Sequence, residues 1–90
     1  MDLTNQQLCD IEIIEVLKFV SNLKKIKGLK LVKNRLTTEG LVRILEYIPG
    51  VTNLNLSFNQ LTDDAVGQLL SCHGRVPQLR IVNLSNNKIN

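Results

Sequence analysis

VTNLNLSFNQL, residues 51–61, sets Leu54 and Leu56 two positions apart among polar side chains, then reaches Asn59 before the next apolar residue, Leu61. The same order recurs on both sides. Residues 26–36 read IKGLKLVKNRL and residues 79–89 read LRIVNLSNNKI. All three fit one template, apolar-x-x-apolar-x-Leu-x-x-Asn-x-apolar, whose asparagines, Asn34, Asn59 and Asn87, stand 25 and 28 residues apart. A further step of 28 residues back from Asn34 lands on Gln6, inside Leu3-Thr4-Asn5-Gln6-Gln7-Leu8, the second half of the template with an amide still in place. Self-similarity at this period marks a chain built of stacked supersecondary units.

The segments between templates align as well. Leu36, Leu41, Ile44 and Leu45 match Leu61, Val66, Leu69 and Leu70, and the first copy offers Leu8, Ile13, Val16 and Leu17. Steps of five, three and one place these on one face of a helix. Thr37 or Thr38, Thr62 and the Cys9-Asp10 pair are the expected N-caps. Glu12, Glu39, Asp63 and Asp64 follow in the first turns, where they complement the helix dipole. Ile48-Pro49-Gly50 and His73-Gly74-Arg75-Val76-Pro77 end the second and third helices.

Three matches to an eleven-residue template at near-constant spacing resemble the leucine-rich-repeat family. Repeats of 25–28 residues carrying a true helix are most similar to its ribonuclease-inhibitor-like class. The resemblance implies one α/β domain over residues 1–90, with repeats at about 1–22, 23–50, 51–75 and an incomplete 76–90. Its architecture would be a right-handed α/β solenoid, a horseshoe segment with a short curved parallel sheet on the concave side and helices on the convex side. Leu29, Leu31, Leu54, Leu56, Val82 and Leu84 then point inward. Asn34, Asn59 and Asn87 form the family's structural asparagine ladder, satisfying backbone groups that the turn would leave unpaired.

Composition narrows the function. The chain is 43% hydrophobic and 21% charged with a net charge of +3, as in an ordinary folded protein. A polar amino terminus and the absence of an apolar run of about 20 residues predict an intracellular, cytoplasmic protein, and secretion without a Sec-type signal is compatible with the same residues. Cys9 and Cys72 read as two reduced, packed thiols. With one histidine, His73, no Gly-rich phosphate loop, no Ser-centred elbow and no metal-ligand spacing, the expectation is a non-enzyme without metal or cofactor.

A binding module is therefore the leading reading, and the concave sheet face is what the resemblance implies as its surface. Gly28, Lys30, Val32, Lys33, Asn53, Asn55, Ser57, Phe58, Ile81, Asn83, Ser85 and Asn86 are expected to project there. Phe58 and Ile81 are candidate anchors, with simple packing along the turn as the plainer account of Phe58. Lys24, Lys25, Lys27, Lys30, Lys33 and Arg35 concentrate positive charge in repeat two; a solvated loop is the plainer account of them, and an acidic protein partner is the functional one. Nucleic acid is disfavoured because no aromatics interleave those lysines. A structural role, stacking on further repeats or on itself, is the alternative, and a role as an enzyme inhibitor or GTPase regulator is a weaker one. Self-association would use the edge after the fourth template, where Val82, Leu84 and Ile89 are expected to lie partly uncovered.

Overall fold

The computed structural model describes residues 1–20, 22–72 and 74–89; the expectation for His73 lies outside them. Three short strands, β1 (Gly28–Lys30), β2 (Asn53–Asn55) and β3 (Ile81–Asn83), pair in parallel in the order β1-β2-β3. Gly28, Leu29 and Lys30 lie opposite Asn53, Leu54 and Asn55, which in turn lie opposite Ile81, Val82 and Asn83. The amino terminus adds a partial fourth strand. Asp2 bridges Lys30 in parallel, and Leu3 N–H donates to the Lys30 carbonyl at 2.8 Å. The chain is thus α/β, with consecutive strands as nearest neighbours. Parallel neighbours need a crossover, and helices supply it here.

Those helices are α1 (Asp10–Lys18), α2 (Thr38–Leu45) and α3 (Asp64–Ser71), with a 3-10 turn at Leu23–Lys25. Ile13, Ile14 and Leu17 of α1, and Leu41, Ile44 and Leu45 of α2, share one core with Leu29, Leu31, Leu54 and Leu56 from the strands and turns. The helices consequently cover the leucine side of the sheet and leave its other side open.

α3 departs from the expected pattern. Leu70 is 73% exposed, whereas Leu45, its template equivalent, is 1% exposed. Val66 is exposed too, and only Ala65 of α3 is fully buried. α2 packs against both α1 and α3, and α3 meets the shared core through Ala65 and Leu69. The same side chain is core in one repeat and surface in the other because burial depends on a neighbour. Val82, Leu84 and Ile89, packed from one side by the core, are half-buried.

The helix starts also need one correction. Cys9 and Thr37 are the N-caps of α1 and α2, and Thr37 Oγ1 accepts from Gly40 N–H at 3.4 Å. Cys9 N–H donates to the Glu12 carboxylate at 3.0 Å, which, with the nearby Arg35 guanidinium, holds that carboxyl below its ordinary range. In α3 the N-cap is Asp63 instead of Thr62. The Thr62 hydroxyl is engaged by Thr38 Oγ1 at 3.1 Å and by Asp64.

Candidate functional site

Each strand ends in a turn held by an amide. Asn59 lies 8% exposed; its Oδ1 accepts from Leu36 N–H at 3.0 Å, while its Nδ2 donates to the carbonyls of Leu31 (2.8 Å), Leu56 (3.0 Å) and Ser57 (3.2 Å). Asn34 repeats the set on Leu8 N–H and the carbonyls of Leu3, Leu31 and Val32. Asn87 repeats it on Leu61 N–H and the carbonyls of Leu56, Leu84 and Ser85. Every amide therefore reaches into its own turn and into the preceding repeat.

Immediately before each turn amide the backbone is left-handed: φ is 57° at Asn5, 58° at Lys33, 58° at Phe58 and 57° at Asn86. Asparagine adopts this region at little cost, and lysine and phenylalanine adopt it at a greater one. Phe58 is nevertheless 48% exposed, with Lys33 Nζ 5.6 Å from its ring centroid. Phe58→Asn should therefore stabilise the protein by about 0.5 kcal/mol, the relief of left-handed strain of about 1 kcal/mol less a surface cation–π contact of about 0.5 kcal/mol. A rise in the urea midpoint checks it. A fall instead would mean that the ring is held by packing.

The open side of the sheet forms a trough of about 540 Å³. Of the residues expected on this face, Gly28, Lys30, Asn53, Asn55, Ile81 and Asn83 line it, and Met1 and Asp2 close one end. Val32, Lys33, Phe58, Ser85 and Asn86 do not line it; they sit beyond the strand ends, Val32 half-buried and the others exposed. Ser57 is corrected outright. It is 5% exposed and its hydroxyl is spent on Asn55, so it presents no surface.

The basic cluster of repeat two does not gather on this face either. Lys24 and Lys25 are in the 3-10 turn, and Arg35 donates to the Gln7 carbonyl and pairs with Glu12 at 3.3 Å. Lys30 remains in the trough, and Lys33 lies over the Phe58 ring outside it. Asp2 was missed, although Asp2-Leu3-Thr4 matches Asn55-Leu56-Ser57 and Asn83-Leu84-Ser85 position for position. Its Oδ1 accepts from Thr4 N–H at 2.9 Å and from the Thr4 hydroxyl, and these bonds hold its carboxyl below the ordinary range.

Among the described residues, no group of His, Cys, Asp and Glu side chains could hold a metal ion, and no helix is long and apolar enough to cross a membrane. Residues 51–69 match a family model described as Leucine Rich repeat. This segment, with β2, its turn asparagine and most of α3, is a leucine-rich repeat. Comparisons with curated proteins and with solved structures find no match.

Proposed function

We propose that this chain is a protein-interaction module: a run of stacked leucine-rich repeats of the ribonuclease-inhibitor-like class, binding a protein partner through the concave face of its sheet. The observation that carries this reading is the open trough, a side of the sheet that no described element covers while the helices fill the other. Leucine-rich repeats generally serve as protein-interaction modules, and the match over residues 51–69 supports that class of function here. A stiff sheet presents its side chains with little ordering cost on binding.

Lys30 and Lys33 give the surface a cationic side, and Ile81 and Phe58, both exposed, give it apolar contact area. An acidic protein surface suits that combination, since opposite charge speeds encounter and apolar anchors slow release. The Lys30→Glu/Lys33→Glu double variant and, separately, Phe58→Ala are each expected to weaken capture of the partner by at least tenfold. Capture is read by quantitative pull-down at two salt concentrations. Undiminished capture by both variants would place the binding surface elsewhere.

A further inference from the structure

One row of side chains crosses the open sheet from strand to strand. Asp2 lies opposite Lys30, Lys30 opposite Asn55, and Asn55 opposite Asn83. Two of these amides are aimed. Asn55 Oδ1 accepts from the Ser57 backbone N–H at 3.3 Å and from Ser57 Oγ at 2.9 Å. Asn83 Oδ1 accepts from Ser85 N–H at 3.0 Å and from Ser85 Oγ at 2.7 Å. A backbone N–H can only donate, so the amide atom facing it must be oxygen, and the NH₂ group is turned the other way. Neither NH₂ has a hydrogen-bond partner among the described residues, and both asparagines line the trough.

From this geometry, and resting on the open face as the binding surface, we infer that the row Lys30–Asn55–Asn83 is a carboxylate-reading strip for an extended acidic segment of a protein partner. Ser57 and Ser85 act as positioning residues that hold the two amides donor-outward. The strip offers an ammonium and two fixed N–H donor groups in line, with no acceptor turned outward among the three. A carboxylate accepts through two oxygens and matches such donors, whereas a neutral amide would bring an unmatched donor of its own. Adjacent strands are about 4.8 Å apart, so Lys30 and Asn83 are separated by about 10 Å. In a polyproline-II segment, residues i and i+3 lie on one side about 9 Å apart. Two acidic residues at that spacing reach both ends of the strip. Asp2 is the opposing charge on this row, and it repels an acid placed beyond Lys30, which confines the acidic residues to the span from Lys30 to Asn83.

The probe is a fluorescein-labelled, proline-rich decapeptide with glutamates at i and i+3, compared by fluorescence polarisation with its glutamine counterpart. The glutamate peptide is expected to bind at least tenfold tighter than the glutamine one. Asn83→Asp, which keeps the Ser85 contacts but turns a carboxylate outward, should weaken it more than tenfold. Ser85→Ala should weaken it about threefold, and Ser85→Thr should restore it, because Thr4 makes the same pair of bonds to Asp2. Asn83 and Ser85 are both exposed, and unchanged urea midpoints of their variants would separate lost binding from lost folding. If Asn83→Asp and Ser85→Ala bind like the parent while Lys30→Glu abolishes binding, bulk charge is being read and the aimed amides are overturned, with the open-face reading intact. If the two peptides bind alike and Lys30→Glu changes nothing, both the strip and the open-face reading fall. Tighter binding by a phosphoserine version of the peptide, or by a single-stranded oligonucleotide, overturns the assignment to carboxylates.

Discussion

Asn59→Leu is expected to lower the free energy of unfolding by about 3 kcal/mol, a large share of what a chain of 90 residues possesses. The bonds lost are not equivalent. Leu31 and Leu56 carbonyls keep a second amide donor, from Asn34 and Asn87, and the Ser57 carbonyl keeps Lys33 N–H. Leu36 N–H has no such substitute among the described residues: Asn59 Oδ1 is its partner, and Leu36 is fully buried. One orphaned buried donor costs about 1–3 kcal/mol, and each weakened carbonyl adds a fraction of the roughly 1 kcal/mol net of an ordinary hydrogen bond. The leucine side chain regains part of this by burying apolar surface, which is why the net stays near 3 kcal/mol. Urea unfolding followed by far-UV circular dichroism should show the midpoint falling by about 2–3 M at the slope usual for small domains. A shift of less than about 0.5 M would mean that water or backbone adjustment satisfies Leu36 N–H.

Gly40→Ala is expected to destabilise by about 2 kcal/mol, against the direction that helix propensity dictates. A helical glycine replaced by alanine ordinarily gains about 1 kcal/mol. At Gly40, however, an added methyl would lie 2.1 Å from Cγ and 2.7 Å from Cβ of Asp10. Asp10 cannot simply swing aside. Its carboxylate accepts from Thr37 N–H at 2.8 Å and from the Thr37 hydroxyl, so moving it undoes the junction between the starts of α1 and α2. Steric conflict and the lost bonds outweigh propensity. The sign should reverse in an Asp10→Gly background, which removes Cβ, Cγ and the carboxylate together, so that the methyl has room and Gly40→Ala gains up to about 1 kcal/mol. Gly67 of α3 supplies the contrast, since nothing lies within 4 Å of its added methyl and Gly67→Ala should stabilise by about 1 kcal/mol. The four unfolding curves of the Asp10/Gly40 cycle test the argument. A coupling near zero between the two sites would refute it.

What could be read from residues alone was whatever a single repeat determines. The resemblance carried by the repeated template placed strands around Leu29, Leu54 and Val82, and the step pattern after each turn located all three helices. What depends on the adjacent repeat was not legible. Leu45 and Leu70 share a template position, as do Ser57 and Ser85, yet the first of each pair is buried and the second exposed. The template assigns both members the same surroundings, and packing does not. Six basic residues close in sequence were likewise dispersed by the fold, because strand, turn and helix entry point them in different directions. The aimed amides were within reach, since Asn-Leu-Ser occurs twice at the same template position and Asp-Leu-Thr once. Only geometry tells which amide atom the serine holds.

The turn amides also impose an order in time. Asn34 fastens Leu3 and Leu8, Asn59 fastens Leu31 and Leu36, and Asn87 fastens Leu56, Asn59 and Leu61. Each turn therefore receives its last bonds from a residue synthesised 25 or 28 positions after its own amide. On a translating ribosome no repeat can close when it emerges; it closes when the next one does. The nascent protein is always one repeat short of locked, and its last-made turn is the one a chaperone or a protease meets open.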